Sequence, residues 1–344
     1  MNILVTGATG FIGRYLVAQL TARQHQVIAL MRRPEGIDDF RRQIEGLGGN
    51  GLSLSALQGD LDQPDLALEH APESLDAVVH LGARFAWKLP TEAARQTNVE
   101  GALAVARLAH KAGARLVMIS GFMLENAAHL QSLGIDPEHP ETVDWPAVYR
   151  QTGAYEASKL EGALRVRQWA DSMGLDWIEV QPATVSGHSQ TGALESAQPL
   201  YQLMDNLAHG RLTMIPGTSA HQLPLVPVDL LAGLIVAACE AQTVPRRLLA
   251  LDAETPNLDG VIGQLANGLG RKPPRRHMPI RVLQGLLRIP GVSALMKTAP
   301  ESLQFIQTRT FSSDQTREFA RSNGVEWPSI MQSLRQTAQA YRHL

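Results

Sequence analysis

The sequence predicts an α/β protein, a doubly wound parallel sheet with a smaller, mostly helical C-terminal domain. Three observations carry this. The apolar run Ile3-Leu4-Val5 has the length of a buried strand, breaks at Gly7, and is followed by Phe11, Ile12, Tyr15 and Leu16 at helical spacing. Short apolar runs then alternate with helical patterns through the first half of the chain, the signature of a parallel sheet with crossover helices. Past Gly187 the alternation fades, and from residue 257 onward the pattern is helical, with prolines at 273–274, 279, 290 and 300 as breaks.

The first turn holds Gly7, Gly10 and Gly13, three apart, between strand and helix. Such a turn allows close backbone approach to a pyrophosphate and tight packing of helix on strand, and the helix N-terminus presents free N–H groups and a positive dipole end. This reads as a dinucleotide-binding turn. Gln26–Met31 is the second strand and ends in Arg32-Arg33. In a Rossmann unit this tip lies beside the adenosine ribose, where an acid binds the 2′-hydroxyl of NAD and arginine accommodates the 2′-phosphate of NADP. With no acid there, NADP is favoured, NAD remains possible, and a solvated basic turn is the competing reading. Pro34 to Gly51 reads as a polar, glycine-rich connection. Residues 52–58 form a third strand closed by Gly59-Asp60-Leu61, where Asp60 either meets the adenine edge or caps a turn. Strands follow at 76–80 and 115–120, with a long helix over 91–112 between them, and a sixth strand at 177–180. Helix 197–208, strand 222–226, helix 228–240 and strand 247–251 complete the regular part. We therefore assign 1–182 with 222–252 to the nucleotide-binding domain, and 183–221 with 253–344 to a substrate lid.

Composition narrows the function. Of 344 residues 44% are hydrophobic, enough for a sizeable core, and a net charge of −2 offers no basic footprint for nucleic acid. The single Cys239 excludes an intrachain disulfide and a cysteine-built zinc site, and no metal site is expected. The first strand begins at residue 2, which leaves no room for a signal peptide, and no apolar run is long enough to span a bilayer, so a cytoplasmic protein is expected.

Tyr155 and Lys159 lie at i and i+4, on one face of a helix running to about Asp171. A phenol alone is a poor acid–base group at neutral pH. A neighbouring ammonium favours its phenolate, which predicts a lowered pKa and proton exchange with a substrate hydroxyl or carbonyl.

Thr6-Gly7-Ala8-Thr9-Gly10-Phe11-Ile12-Gly13 with Tyr155-x-x-x-Lys159 resembles the extended short-chain dehydrogenase/reductase family, over most of the chain. His80-Leu81-Gly82-Ala83 is similar to that family's strand end after the fourth strand, Asn98-Val99-Glu100-Gly101 to its helix motif, and Gln181-Pro182-Ala183-Thr184-Val185-Ser186-Gly187 to its loop after the sixth. Gly59-Asp60-Leu61-Asp62-Gln63-Pro64 resembles the fatty acyl and thioester reductase branch, as does Gly187-His188-Ser189-Gln190-Thr191-Gly192, with His188 in place of that branch's aspartate. The resemblance implies Tyr155 as general acid–base and Lys159 as its activator and ribose ligand. It implies cofactor contacts from Gly7, Thr9, Gly10, Phe11, Ile12, Gly13, Arg32, Arg33, Asp60, Leu61, Leu81, Gly82, Ala83, Asn98, Pro182 and Val185. It also implies NADPH-dependent reduction of an aldehyde, ketone or acyl thioester, and dimerisation through the helix of Tyr155 and helix 91–112 as a possibility.

One departure stands out. The family's catalytic hydroxyl falls second in a pair after the fifth strand, and here that pair is Ser120-Gly121. Ser120 takes the role, or Thr152 does, or the hydroxyl is missing, at roughly 2.7–4 kcal/mol of lost carbonyl polarisation. Leu283, Leu286, Leu287, Ile289, Val292 and Leu295 suggest an apolar lid, by pocket lining or by core packing, and so an apolar substrate. Arg271, Arg275 and Arg276 keep open an NAD-dependent sugar-nucleotide epimerase or dehydratase, and Gly121 keeps open an NADP-binding regulatory protein with weakened catalysis.

Overall fold

In a computed structural model the described residues are 1–86, 89–287, 289 and 300–342. The chain divides into two compact units, Met1–Gln181 with Ala232–Leu248, and Pro182–Leu231 with Leu249–Leu344. The sequence-based boundary differs in placing Pro182, 222–231 and 249–252 with the nucleotide domain.

The first unit is built on β1 (Asn2–Thr6), α1 (Phe11–Ala22), β2 (Gln26–Met31), α2 (Ile37–Gly46), β3 (Leu54–Gln58) and β4 (Ala77–His80). It continues with α3 (Thr91–Arg95), α4 (Gly101–Ala112), β5 (Arg115–Ile119), α5 (Ala127–Ser132), α6 (Trp145–Thr152), α7 (Ala154–Ser172) and β6 (Trp177–Pro182). The seven-stranded sheet has the order β10-β6-β5-β4-β1-β2-β3, where β10 is Arg247–Ala250. From β6 to β3 every pair runs parallel. The order reverses between β1 and β4, so the crevice for a ligand opens at the carboxyl ends of these two strands. Ile3, Leu4 and Val5 are fully buried, as a central strand covered on both faces requires.

Two expectations need correction. The stretch 34–51 is not a plain connection, because it contains α2, which buries Phe40 and Ile44. Those two are one helical turn apart, and the charged residues around them hide the period. The helix over 91–112 is interrupted by a wide π-type turn at Gln96–Glu100, which brings Asn98 inward. Between β5 and α7 the chain forms α5 and α6, whose Leu130, Trp145, Val148 and Tyr149 pack with Leu160 and Leu164 of α7.

In the second unit β7 (Thr184–Ser186) pairs in parallel with β9 (Leu225–Pro227), after α8 (Pro199–Ala208) and β8 (Ile215–Pro216). Gln222, expected in the late strand, makes only isolated bridges to Asn257 and Gln307. The helix α9 (Val228–Glu240) follows, with its residues from Ala232 onward in the first unit, where the Arg115 guanidinium donates to the Ala238 and Ala241 carbonyls. After β10 come α10 (Leu258–Leu269), β11 (His277–Met278), α11 (Ile280–Leu287), α12 (Asp314–Ser322) and α13 (Ile330–Arg342). Leu200 and Met204 of α8, Ile262 and Leu265 of α10, and Leu334 of α13 form this unit's core. Of the expected apolar lid residues, Leu283 and Leu287 are buried whereas Leu286 and Ile289 are exposed; Val292 and Leu295 lie outside the described residues. No helix among the described residues is long and apolar enough to cross a membrane.

Helix α7 approaches the π-type turn closely because Gly162 has no side chain: a Cβ there would lie 2.2 Å from the Asn98 carbonyl oxygen. At Gly121 a Cβ would meet nothing within 4 Å. Gly162→Ala is therefore expected to destabilise the protein by about 1–3 kcal/mol through overpacking, and Gly121→Ala to leave stability nearly unchanged. Urea unfolding of both variants checks this; equal midpoints would show that the turn yields without cost.

Candidate active site

At the end of β1 the chain must turn while helix α1 packs against the strand. Gly7 does this at φ +70°, and a Cβ there would lie 2.7 Å from the Gly82 nitrogen. A Cβ on Gly13 would lie 2.2 Å from the Gly7 carbonyl oxygen. Helix α1 begins after Gly10 with no side-chain cap and no acid in its first turn. Its N–H groups and positive dipole end are thus left to an anion, and the glycines leave the backbone bare there. The turn fits a dinucleotide's diphosphate. Thr9 and Gly10 are exposed on it, Ile12 is half-buried, and Phe11 is buried edge-on against Tyr15.

Parallel register sets Thr6 beside His80 of β4 and His80 beside Met118 of β5. The turn after β1, Leu81-Gly82-Ala83, and Ser120 therefore leave the sheet at one edge. Thr6 Oγ1 accepts from the Gly82 N–H at 3.1 Å and lies 2.8 Å from His80 Nδ1. Burial first, then the nearby Lys159 cation, holds His80 neutral, its pKa lowered to about 3. Leu61 presses on both Gly82 and Gly101, where a Cβ would fall 2.5 Å and 2.7 Å from its atoms.

Asn98 ties this edge to α7. Its side chain accepts from the Arg84 N–H at 2.8 Å and donates to the Arg84 carbonyl at 3.2 Å and to Ser158 Oγ at 2.9 Å. Ser158 Oγ in turn donates to the Tyr155 carbonyl at 3.0 Å. The Arg84 side chain pairs with Asp62, which also accepts from the Thr97 hydroxyl. Lys159 Nζ donates to the Ile119 carbonyl at 2.7 Å, at the tip of β5. A small cavity lined by His80, Gly82, Ala83, Asn98, Ser120 and Lys159 marks the junction. Ser120 Oγ is buried there with no partner among the described residues.

The Tyr155 ring packs edge-on to Phe85, centroids 4.7 Å apart. The expected lowering of its pKa is not found. Burial, with Glu156 adding a smaller push, raises it to about 12, and burial lowers Lys159 to about 8 against a smaller opposing effect of Glu179. The physical reason is that desolvation penalises both charges, and the ammonium expected to stabilise the phenolate is itself disfavoured.

Other expected residues fall variously. Asp60 takes its capping alternative: its Oδ1 accepts the Asp62 N–H at 3.0 Å. Arg32 and Arg33 are exposed past the tip of β2, and no side-chain hydrogen bond or ion pair to a described residue holds either. Thr152 donates to Val148 in its own helix and does not line the cavity. Pro182 and Val185 belong with the second unit, Val185 buried opposite Val226. There His188 Nδ1 accepts from the N–H of Gln190 at 3.2 Å, and Ser189 binds Asp229 through both its N–H and its hydroxyl. Sequence reasoning missed Ser158, Thr6 and Phe85. Ser158 stood inside the Tyr155-x-x-x-Lys159 motif, and its position facing inward beside Lys159 was the available signal. Among the described residues no cluster of His, Cys, Asp and Glu could hold a metal ion.

The chain is similar to several known proteins. The chain is 27% identical over 300 residues to an aldehyde reductase, lnaA, of Aspergillus flavus, covering 78% of this chain and 28% of that protein. It is 26% identical over 265 residues to the L-2-aminoadipate reductase large subunit of Candida glabrata, covering 69% of this chain and 19% of that protein. The chain thus spans well under a third of either relative. A dihydroflavonol 4-reductase of Hordeum vulgare is 27% identical over 246 residues, covering 70% of this chain and 66% of that one. In fold it is similar to the terminal R domain of the myxalamid PKS-NRPS pathway, with a TM-score of 0.78 at 23% identity over 99% of this chain and 90% of that one. A UDP-galactose 4-epimerase gives 0.64 at 17% identity over 100% and 99%. The sequence pattern of the family described as male sterility protein matches residues 5–235, more than half of the chain. With that match, the glycine turn and the paired Tyr155 and Lys159 on α7, the chain belongs to the male sterility protein family of extended short-chain dehydrogenases/reductases.

Proposed function

We propose that the protein is an NADP(H)-dependent oxidoreductase that reduces an apolar aldehyde, ketone or acyl thioester, with Tyr155 as proton donor. The observation that carries this reading is the junction at the tip of β5, where Lys159 is held on the Ile119 carbonyl beside the unpartnered Ser120 hydroxyl. Gly7, Gly10, Gly13, Leu81, Gly82 and Ala83 would hold the dinucleotide, and Arg32 and Arg33, exposed and unpaired to described residues, suit a 2′-phosphate. When bound, the nicotinamide supplies the hydride.

The residues divide the remaining work. A phenol held near 12 stays protonated at neutral pH, which suits the reductive direction: an alkoxide forming at the substrate is a stronger base than a phenolate, so Tyr155 gives up its proton only as charge develops. Lys159, protonated below about 8, then stabilises the resulting phenolate. Ser120 Oγ, with no partner among the described residues, is free to donate to a carbonyl oxygen. Asn98, through Ser158, fixes the backbone that carries Tyr155. The second unit contains a cavity of about 90 Å³ lined by Leu203, Leu223, Leu258, Leu283, Leu303 and Phe305, among others. Such a lining supports an apolar substrate over a sugar diphosphate, which would want buried cations. Gly121 favours a second reading, a dinucleotide-binding protein with little turnover.

Tyr155→Phe is expected to lower turnover by about 10²–10⁴-fold and to leave NADPH affinity nearly unchanged. Retained turnover removes Tyr155 from the chemistry, and no turnover by the parent protein on aldehydes, ketones and acyl thioesters selects the second reading. The rate should fall as pH rises through about 8, where Lys159 loses its proton; a profile flat across that range argues against an ammonium role. Fluorescence titration should give tighter binding of NADPH than of NADH, with the preference lost in Arg32→Ala. Equal affinities in the parent protein would refute the 2′-phosphate contact.

A further inference from the structure

Helix α11 is apolar on two faces. Leu283 and Leu287 turn inward and pack with Leu303. Val282 and Leu286, one turn apart, turn outward at 52% and 38% exposure, and Ile289 just beyond is 50% exposed. A core helix of a soluble domain ordinarily shows charge on its outer face. The segment leading into α11 and the helix's own second residue supply charge of one sign: Arg271, Lys272, Arg275, Arg276 and Arg281 are all exposed. None of the five side chains is held by a hydrogen bond or ion pair to a described residue, whereas Arg211 and Arg317 of the same unit each meet a carboxylate. Asp259, which precedes this segment, is taken by His277. From residue 260 to residue 300 the sequence contains no Asp or Glu, in a chain whose net charge is −2.

We infer that this face of α11, with the basic segment before it, docks the protein on the surface of an anionic phospholipid bilayer. Exposed Val282, Leu286 and Ile289 would enter the headgroup boundary, and the five cations would lie over the lipid phosphates. Complementary charge selects this occupant. An apolar protein partner would bury the cations without counter-charge, and a nucleic acid would leave the apolar side chains unused. At eight residues α11 is about 12 Å long. It can rest in the interface and cannot span. The inference does not depend on the proposed chemistry.

Cosedimentation of the full chain with phosphatidylcholine vesicles, with and without phosphatidylserine, tests it. Binding is expected only with phosphatidylserine and should weaken as salt is raised. Arg275→Ala with Arg276→Ala should weaken it roughly 25-fold, about five-fold per cation, and Val282→Ser with Leu286→Ser should also reduce it. All four side chains are exposed, so the thermal midpoint should stay put in both variants. No binding to phosphatidylserine vesicles overturns the inference. So does binding that the Val282/Leu286 variant leaves intact, which would mark a polyanion site. A dimer in sedimentation that the same variant dissociates would assign the face to a second copy and equally overturn it.

Discussion

Lys159 carries its ammonium inward and finds one carbonyl, that of Ile119, at 2.7 Å. This bond joins α7 to the carboxyl tip of β5, and the rest of the site is arranged so that it can exist. Burial makes the ammonium costly, and the same burial raises Tyr155 and keeps His80 neutral. A neutral His80 is necessary there, because a second cation beside Lys159 would have no counter-charge in the cavity lining. The pocket therefore holds its polar groups in their uncharged forms as far as it can, and leaves Lys159 poised to change charge near neutrality.

Close packing follows from the same constraint. For α7 to bring Lys159 to the strand tip, its Gly162 must touch the Asn98 carbonyl, and the helix carrying Asn98 must open into a π-type turn. That turn releases Asn98 to bond Arg84 on one side and Ser158 on the other. The irregular turn is thus satisfied by side-chain bonds, and it couples the loop after β4 to the helix that bears Tyr155. Glycines at 7, 13, 101 and 162 serve one end, letting backbone meet backbone where a methyl group would collide.

The charge of the second unit is spent differently. Around α12 and α8 its arginines are matched by Asp252, Glu254 and Asp205. Along the segment that enters α11 they are not matched by described residues, and the outward face of that helix is apolar. A small core explains the inward face through Leu283 and Leu287, and gives no reason for the outward one.

Much of this was legible in the residues because it rests on local rules. A buried strand run, a glycine turn and a helical period determine β1, the turn and α1 within a few residues of chain, and Tyr155 and Lys159 share a helix face by spacing alone. The strand alternation was enough to give a parallel sheet. Helix α2 was hidden because two buried side chains among charges leave a faint period, and α5 and α6 were not foreseen for lack of a strong one. Whether Asp60 caps a turn, where Ser120 points, and the direction of the Tyr155 shift were decided only by the tertiary structure. Each depends on what surrounds a group in space: a hydroxyl's partners, a turn's nearest N–H, and the water that burial removes. Charge and desolvation compete over distances that sequence separation does not encode, and for Tyr155 desolvation prevails.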